Sequence, residues 1–392
     1  MESIESGSFE TNWSQVFTSF DDLGLRKELL RGVYAMGFEK PSAIQQYGIK
    51  PIVEGRDTIA QAHSGTGKTA TFSIATLEKV DITKKVPQAL ILAPTRELAG
   101  QSKAVLSNLA RFMSGLSVHC AIGGTPIDDD IAAFHRGVHI VVGTPGRIND
   151  LIRREVLTPA TIELIILDEA DEMLSRGFSE QIYDIFKSLS SEVQACLISA
   201  TMPSSILEMT SQFMRDPVQI LVKREVLTLE GIRQFHIDVD AESWKIETLL
   251  DIYKIISVQQ SVIFCNTRTR VEQLVEELKK QKFTVVCIHG EMEQRERDAI
   301  MREFRSGTHR VLVATDLIAR GIDVQNCSLV INFDIPKNKE TYIHRIGRSG
   351  RFGRKGIAIN FITRDDAEML KEIERHYETE IPPMPENISS LL

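Results

Sequence analysis

Leu164-Ile165-Ile166-Leu167-Asp168-Glu169-Ala170-Asp171 is an apolar run ending in a cluster of carboxylates. Four consecutive branched aliphatic residues read as a strand buried on both faces. The acids then emerge at its C-terminal end, where open α/β sheets bind their ligands. A hundred residues earlier stands Ala62-His63-Ser64-Gly65-Thr66-Gly67-Lys68-Thr69. This glycine-rich loop can cradle phosphates with its backbone N–H groups, neutralise them with Lys68 and hold Mg²⁺ through the Thr69 hydroxyl. Together the two stretches imply nucleoside triphosphate chemistry.

Further runs of the same kind occur on both sides. Gln88–Ala93, His139–Gly143 and Ala195–Ser199 lie in the first half, and Ser261–Cys265, Val285–Ile288, Arg310–Ala314 and Leu329–Phe333 in the second. Helical patterns alternate with them, which predicts an α/β chain with two largely parallel sheets flanked by helices. At 392 residues there is chain enough for two domains. The expected division is a tail over 1–15, a first domain over 16–222, a linker over 223–231, where neither period holds, and a second domain over 232–392.

A content of 42% apolar and 26% charged residues is that of an ordinary globular protein and disfavours disorder. No apolar stretch is long enough for a membrane span, and Met1–Glu10 is acidic and serine-rich, unlike a signal peptide, so the expected location is cytosol or nucleus. Cys120, Cys196, Cys265, Cys287 and Cys327 have no paired spacing and read as small buried hydrophobes. Of the net charge of −8, residues 1–222 carry −7 (20 Lys+Arg, 27 Asp+Glu) and residues 223–392 carry −1 (26 and 27). A chain this acidic does not hold nucleic acid by bulk charge. Any such grip has to come from local sites.

Only the first half has a phosphate loop. The second has His344-Arg345-Ile346-Gly347-Arg348-Ser349-Gly350-Arg351, with Arg345, Arg348 and Arg351 three apart, a spacing that would put them on one face of a helix. Such a row on one domain can complete a site on another, as an arginine finger does.

With these residues in order, the chain resembles the DEAD-box ATP-dependent RNA helicases, from about Phe17 to Tyr377. Glu172–Phe178, Leu227–Ile232 and Arg351–Gly356 are more narrowly similar to the translation-initiation branch of that family. The resemblance implies two tandem RecA-like domains that close on ATP and single-stranded RNA. It makes Gly37–Gln45 the adenine-reading motif, with Gln45 selecting ATP, Phe38 stacking on the base and Phe20 supporting it; a Gln amide pairs a donor with an acceptor as adenine requires. Ser64, Gly65, Thr66, Gly67, Lys68 and Thr69 would take the phosphates, Asp168 would share Mg²⁺ with Thr69, and Glu169 would orient the attacking water. Ala62 is the family's usual residue at its position; His63 replaces a common Gln and is read as a solvated loop residue.

The same resemblance assigns Arg348 and Arg351 to the γ-phosphate and Asp323 to the ribose. Asp171, Ser199, Thr201, His344 and Arg345 would couple ATP state to the RNA site. RNA would be held by Pro94, Thr95, Arg96, Gly123, Gly124, Thr144, Pro145, Gly146 and Arg147 in the first domain. Asn266, Thr267, Gln294, Arg297 and Thr315 would hold it in the second. The first-domain elements each fall where a strand ends and a helix can begin, a place that binds phosphates without net charge. Recognition of backbone and 2′-hydroxyls implies local, sequence-independent unwinding of messenger RNA, weak without helpers. A monomer is expected, with a translation scaffold and activator proteins as partners. The same motifs also fit an ATP-gated RNA clamp of a nuclear ribonucleoprotein.

Overall fold

The structure, a computed structural model, describes residues 9–62, 66–175, 177–202, 204–222, 232–256, 260–316, 327–349 and 356–385. The chain divides into two units, residues 2–223 and 224–392. The proposed linker, 223–231, lies outside the described residues.

In the first unit the strands are β1 (Phe9–Thr11), β2 (Thr58–Gln61), β3 (Ala89–Leu92), β4 (Val118–Ala121), β5 (Ile140–Gly143), β6 (Leu164–Asp168), β7 (Gln194–Ser199) and β8 (Val218–Val222). The helices are α1 (Lys27–Ala35), α2 (Ala43–Val53), α3 (Lys68–Lys79), α4 (Arg96–Leu109), α5 (Ile127–Arg136), α6 (Pro145–Arg153), α7 (Ala170–Ser175), α8 (Ser179–Ser188) and α9 (Ser204–Phe213). The sheet runs β1-β8-β2-β7-β6-β3-β5-β4, parallel except for β1, which pairs antiparallel with β8. Part of the expected tail is therefore an edge strand: Phe9 pairs with Val222, and Asn12 bonds to both Pro217 and Gln219.

Successive side chains on a strand leave opposite faces. Ile91, Val142, Ile166 and Ile198 accordingly enter a core with Leu29, Phe72 and Leu106, and Leu90, Val141, Ile165 and Leu197 enter another with Ile148, Leu151 and Ile182. Helices on both faces explain why the strands read as unbroken apolar runs. Gly32 lets α1 pack directly on α4, because a Cβ there would lie 1.8 Å from the Leu109 carbonyl oxygen.

The second unit has β9 (Ile232–Asp238), β10 (Gln260–Phe264), β11 (Val285–Ile288), β12 (Val311–Ala314), β13 (Cys327–Asn332) and β14 (Gly356–Ile362). Its helices are α10 (Lys245–Ile255), α11 (Arg268–Lys280), α12 (Gln294–Arg305), α13 (Lys339–Ile346) and α14 (Ala367–Tyr377). The sheet order is β11-β12-β10-β13-β14-β9, all parallel. Ile263, Val313, Ile331 and Ile359 fill one face, and Val262, Phe264, Leu312 and Val330 the other.

Every strand run quoted from the sequence is a strand here, with ends within two residues of those expected. Each unit is a largely parallel sheet flanked by helices, the RecA-like arrangement.

Candidate functional site

Because the strands of the first sheet are parallel, their C-terminal ends share one edge. The phosphate loop follows β2, Asp168 and Glu169 end β6, and Ser199 to Thr201 end β7; these strands are neighbours in the order β2-β7-β6. The expected RNA elements follow β3, β5 and β4, which are the next three strands along. One edge is thus split into two adjoining halves.

On the first half, Gly67 has φ +97° and caps α3, so Lys68 and Thr69 stand in the first turn, where backbone N–H groups and the helix dipole favour an anion. Gln45 stands in the first turn of α2 and is 2% exposed. Its Oε1 accepts the Ser42 N–H at 2.8 Å and its Nε2 donates to the Gly67 carbonyl at 3.5 Å. A Cβ on Gly67 would lie 2.7 Å from that amide nitrogen. The Gln45 amide is therefore joined to the phosphate loop, with one lone pair and one proton remaining for a base. Phe38 is partly buried against the core, and Phe20, fully buried, meets it edge to face with centroids 6.5 Å apart. His63, Ser64 and Gly65 lie outside the described residues.

Lys68 Nζ is 3.0 Å from Glu169 Oε1, a buried ion pair between the loop and the acidic strand end. Glu169 has φ +51°, a left-handed conformation rare outside glycine. Strain of this kind concentrates at functional sites. Burial, and next the neighbouring Glu169 charge, push the Asp168 carboxyl up to about 7, with Lys68 pulling the other way. Past the helix start, the Thr201 hydroxyl donates to Asp171 Oδ2 at 2.6 Å, and the Asp171 N–H donates to Ser199 Oγ at 3.3 Å. The Ser199 carbonyl in turn accepts the N–H of Ala62 at 3.1 Å. The ends of β2, β6 and β7 are hydrogen-bonded into one unit.

An acid whose pKa is raised by folding binds its proton more tightly folded than unfolded. The stability that Asp168 contributes is thus fully present below about pH 4 and is lost as pH rises through about 7. Asp168→Asn, neutral throughout, is expected to melt above the ligand-free wild type at pH 8, the gap closing toward pH 4.5. Parallel melting curves at every pH would contradict it.

On the second half, Thr95 caps α4 by accepting the Leu98 N–H at 3.2 Å, Pro94 precedes it, and Arg96 opens the helix. Thr144 caps α6, with Pro145, Gly146 and Arg147 in its first turn. Gly123 and Gly124 follow β4, Gly124 at φ +85°. The Arg96 guanidinium lies over this glycine pair: a Cβ on Gly124 would come within 2.7 Å of its Nη1. Arg147 Nη2 donates to the Thr125 carbonyl at 3.0 Å, just beyond the glycines. The three elements, far apart in sequence, form one patch.

In the second unit, Arg345 was expected to organise the two domains. It is fully buried and spends its nitrogens within its own unit, on Asp316 Oδ1, on Asn332 Oδ1 at 3.2 Å, on the Asp334 carbonyl at 2.6 Å and on Asn266 Oδ1 at 2.7 Å. It ties together the ends of β10, β12 and β13, so any part in coupling runs through those loops. The Asn266 side chain, expected to face RNA, also donates to the Ile335 carbonyl at 2.8 Å. Thr267 caps α11 by accepting the Arg270 N–H at 3.3 Å. Arg297 Nη2 donates to Gln294 Oε1 at 2.6 Å, and the Thr315 N–H donates to the Ile288 carbonyl at 3.4 Å.

Arg345 and Arg348 do not share a helix face. Helix α13 ends at Ile346, Arg345 belongs to its last turn, and Arg348 lies beyond Gly347, its Nε donating to the His344 carbonyl at 3.1 Å. Spacing of three implies a common face only where the helix continues, and here it stops. Arg351 and Asp323 lie outside the described residues.

Residues 42–209 match the DEAD/DEAH box helicase family and residues 244–353 the helicase conserved C-terminal domain. Over all 392 residues the chain is 59% identical to the ATP-dependent RNA helicase eIF4A of Aspergillus niger and 57% identical to that of Chaetomium globosum, spanning 98% of each. The chain belongs to the DEAD-box ATP-dependent RNA helicases. Among solved structures, Saccharomyces cerevisiae Dbp5 bound to RNA and ADP BeF3 is similar to this helicase with a TM-score of 0.89 at 34% identity, over 96% of this chain and 97% of that one. The helicase is accordingly an ATP-hydrolysing enzyme that works on RNA.

Sequence reasoning missed one residue beside the elements expected to hold RNA. Asp130, the third of three consecutive aspartates at the start of α5, is 1% exposed, whereas Asp128 and Asp129 are exposed. In the sequence all three look like acids complementing a helix N-terminus. The local pattern carries no signal that one of them turns inward.

Proposed function

We propose that this helicase unwinds messenger-RNA leaders in translation initiation, in the cytoplasm, as a monomer that a scaffold and activator proteins stimulate. The observation that carries this reading is the end-to-end likeness to fungal proteins named eIF4A, over the full chain and 98% of their length.

For the chemistry, Gln45 and Phe38 take adenine, with Phe20 behind them, and Thr66 to Thr69 together with Ser64 and Gly65 take the phosphates. Thr69, Asp168 and Glu169 offer only oxygen donors, the kind a hard divalent cation prefers, and a buried acid pair that raises the Asp168 pKa is short of positive charge. This donor set fits Mg²⁺, which Thr69 and Asp168 would hold and which would supply positive charge to the phosphates. Lys68 shifts its charge from Glu169 toward the phosphates. Glu169 then accepts a proton from the attacking water and orients it. Arg348, with Arg351 and with Asp323 at the ribose, belongs to the second domain's share of the site, and residues 223–231 are the linker between the domains. Asp171, Ser199 and Thr201 carry the ATP state from the β6 and β7 ends toward the RNA half, and His344 does so in the second domain.

RNA lies across Pro94–Arg96, Gly123–Gly124 and Thr144–Arg147, and across Asn266, Thr267, Gln294, Arg297 and Thr315. ATPase and duplex unwinding, measured with and without a translation-scaffold fragment, test the reading. Stimulation of ATPase by single-stranded RNA but not by DNA of equal sequence is expected, with unwinding accelerated by the scaffold. Equal stimulation by DNA, or indifference to the scaffold, would overturn it.

A further inference from the structure

Arg147 does not project from α6 unsupported. Its Nε donates to Asp130 Oδ2 at 2.7 Å while Nη2 holds the Thr125 carbonyl at 3.0 Å. The other carboxylate oxygen of Asp130 is 2.6 Å from His119 Nε2 on β4, the edge strand that leads into Gly123 and Gly124. Asp130 thus stands between the strand feeding the glycine pair and the helix start carrying Arg147. Burial by itself would raise the Asp130 pKa, but the bonds from His119 and Arg147 outweigh it and hold the group below the usual carboxylate range. The carboxylate is ionised and accepts on both oxygens.

A guanidinium held on two of its three nitrogens is fixed in plane and direction, and Nη1 has no hydrogen-bond partner among the described residues. A side chain so aimed binds a phosphate without first losing rotamer freedom, which for an arginine is a sizeable part of the cost of contact. The Nη2 bond also holds the Thr125 carbonyl on Arg147, next to Gly123 and Gly124 in the chain.

We infer that Asp130 is a positioning residue for RNA binding: it aims Arg147 and steadies the Gly123–Gly124 loop as a preformed grip on the phosphate backbone. The inference rests on the proposed assignment of Arg147 and the glycine pair to RNA. It gives one acid in this acidic domain a part in holding a polyanion, by directing a cation.

The test uses the full chain, a single-stranded oligo(U) RNA and a non-hydrolysable ATP analogue. Asp130→Asn keeps the shape of the side chain but loses the charge that orders the guanidinium. It is expected to weaken RNA binding about tenfold and raise the KM for RNA alike, while kcat at saturating RNA and the KM for ATP stay within about twofold. Asp130→Glu should recover part of the loss. In the double variant Asp130→Asn/Arg147→Ala the RNA affinity should match Arg147→Ala alone, because the acid acts through the arginine. Independent, multiplying losses would overturn the inference, as would a fall in kcat with unchanged RNA affinity. If Asp130→Asn does not fold, Arg147→Lys reads the same point, since it keeps a charge for the phosphate but cannot span Asp130 and Thr125; RNA affinity at the wild-type level would overturn the inference. An Arg147→Ala variant with unchanged RNA affinity would instead refute the RNA assignment beneath it.

Discussion

Glu169→Gln is expected to retain ATP and to lose turnover. The amide matches the carboxylate in size, so the left-handed turn at φ +51° between β6 and α7 has no new clash to absorb. What disappears is the negative charge and with it the ability to accept a proton from water. A general base of this kind contributes about 10²–10⁴ in rate, so kcat should fall by about 10³ while ATP affinity changes by about threefold or less. Retained binding follows from the 3.0 Å Lys68–Glu169 pair, since losing that anion frees the lysine from its paired carboxylate when phosphates arrive. Steady-state hydrolysis with saturating RNA, set beside direct titration of a fluorescent ATP analogue, separates the two quantities. Hydrolysis within threefold of wild type would remove Glu169 from the chemistry.

Arg348→Ala is expected to produce a loss of comparable size by a different route. A positively charged side chain supplied to the γ-phosphate stabilises charge that develops in the transition state, and in related nucleotidases it is worth about 10³–10⁵ in kcat. Hydrolysis should therefore drop by about 10³ with ATP affinity much less affected. The Nε of Arg348 is already committed to the His344 carbonyl, which sets the plane of the guanidinium. A lysine has no such fork, so Arg348→Lys should not restore the rate. A variant that binds ATP poorly but turns over normally at saturation would show that Arg348 serves affinity alone.

Much of the fold was legible because parallel strands covered on both faces cannot alternate. Leu164–Leu167 and Ile140–Val142 are apolar throughout, and a run of that sort bounded by Gly, Asp or Pro has few other uses. The edge strands were harder. Val118–Ala121 is only partly buried and includes a histidine, and Phe9–Thr11 is a three-residue ribbon whose pairing depends on Val222 more than two hundred residues away. Neither carries a periodic signal in its own residues. Arg345 and Arg348 part for a related reason: spacing describes a face only while a helix lasts, and Gly347 ends it.

The candidate site divides along the same line. Glycine, lysine, threonine and acid at fixed local spacing announce a phosphate loop and a carboxylate strand end, because a nucleotide's demands are met by a few consecutive residues on one turn. The family and its two-domain plan were likewise legible from motifs in order. Tertiary structure alone decided that the ends of β2, β7 and β6 stand together beside those of β3, β5 and β4, since sheet order is set by which helices can cover which face and not by chain order. It alone decided that Arg345 is a brace inside its own unit and that Asp130, unlike its two neighbours, turns inward to hold Arg147. A helix rotates its side chains by about 100° per residue, so three identical acids in a row point three ways. The packing of α5 against β4 and α6 chooses which of them meets an arginine.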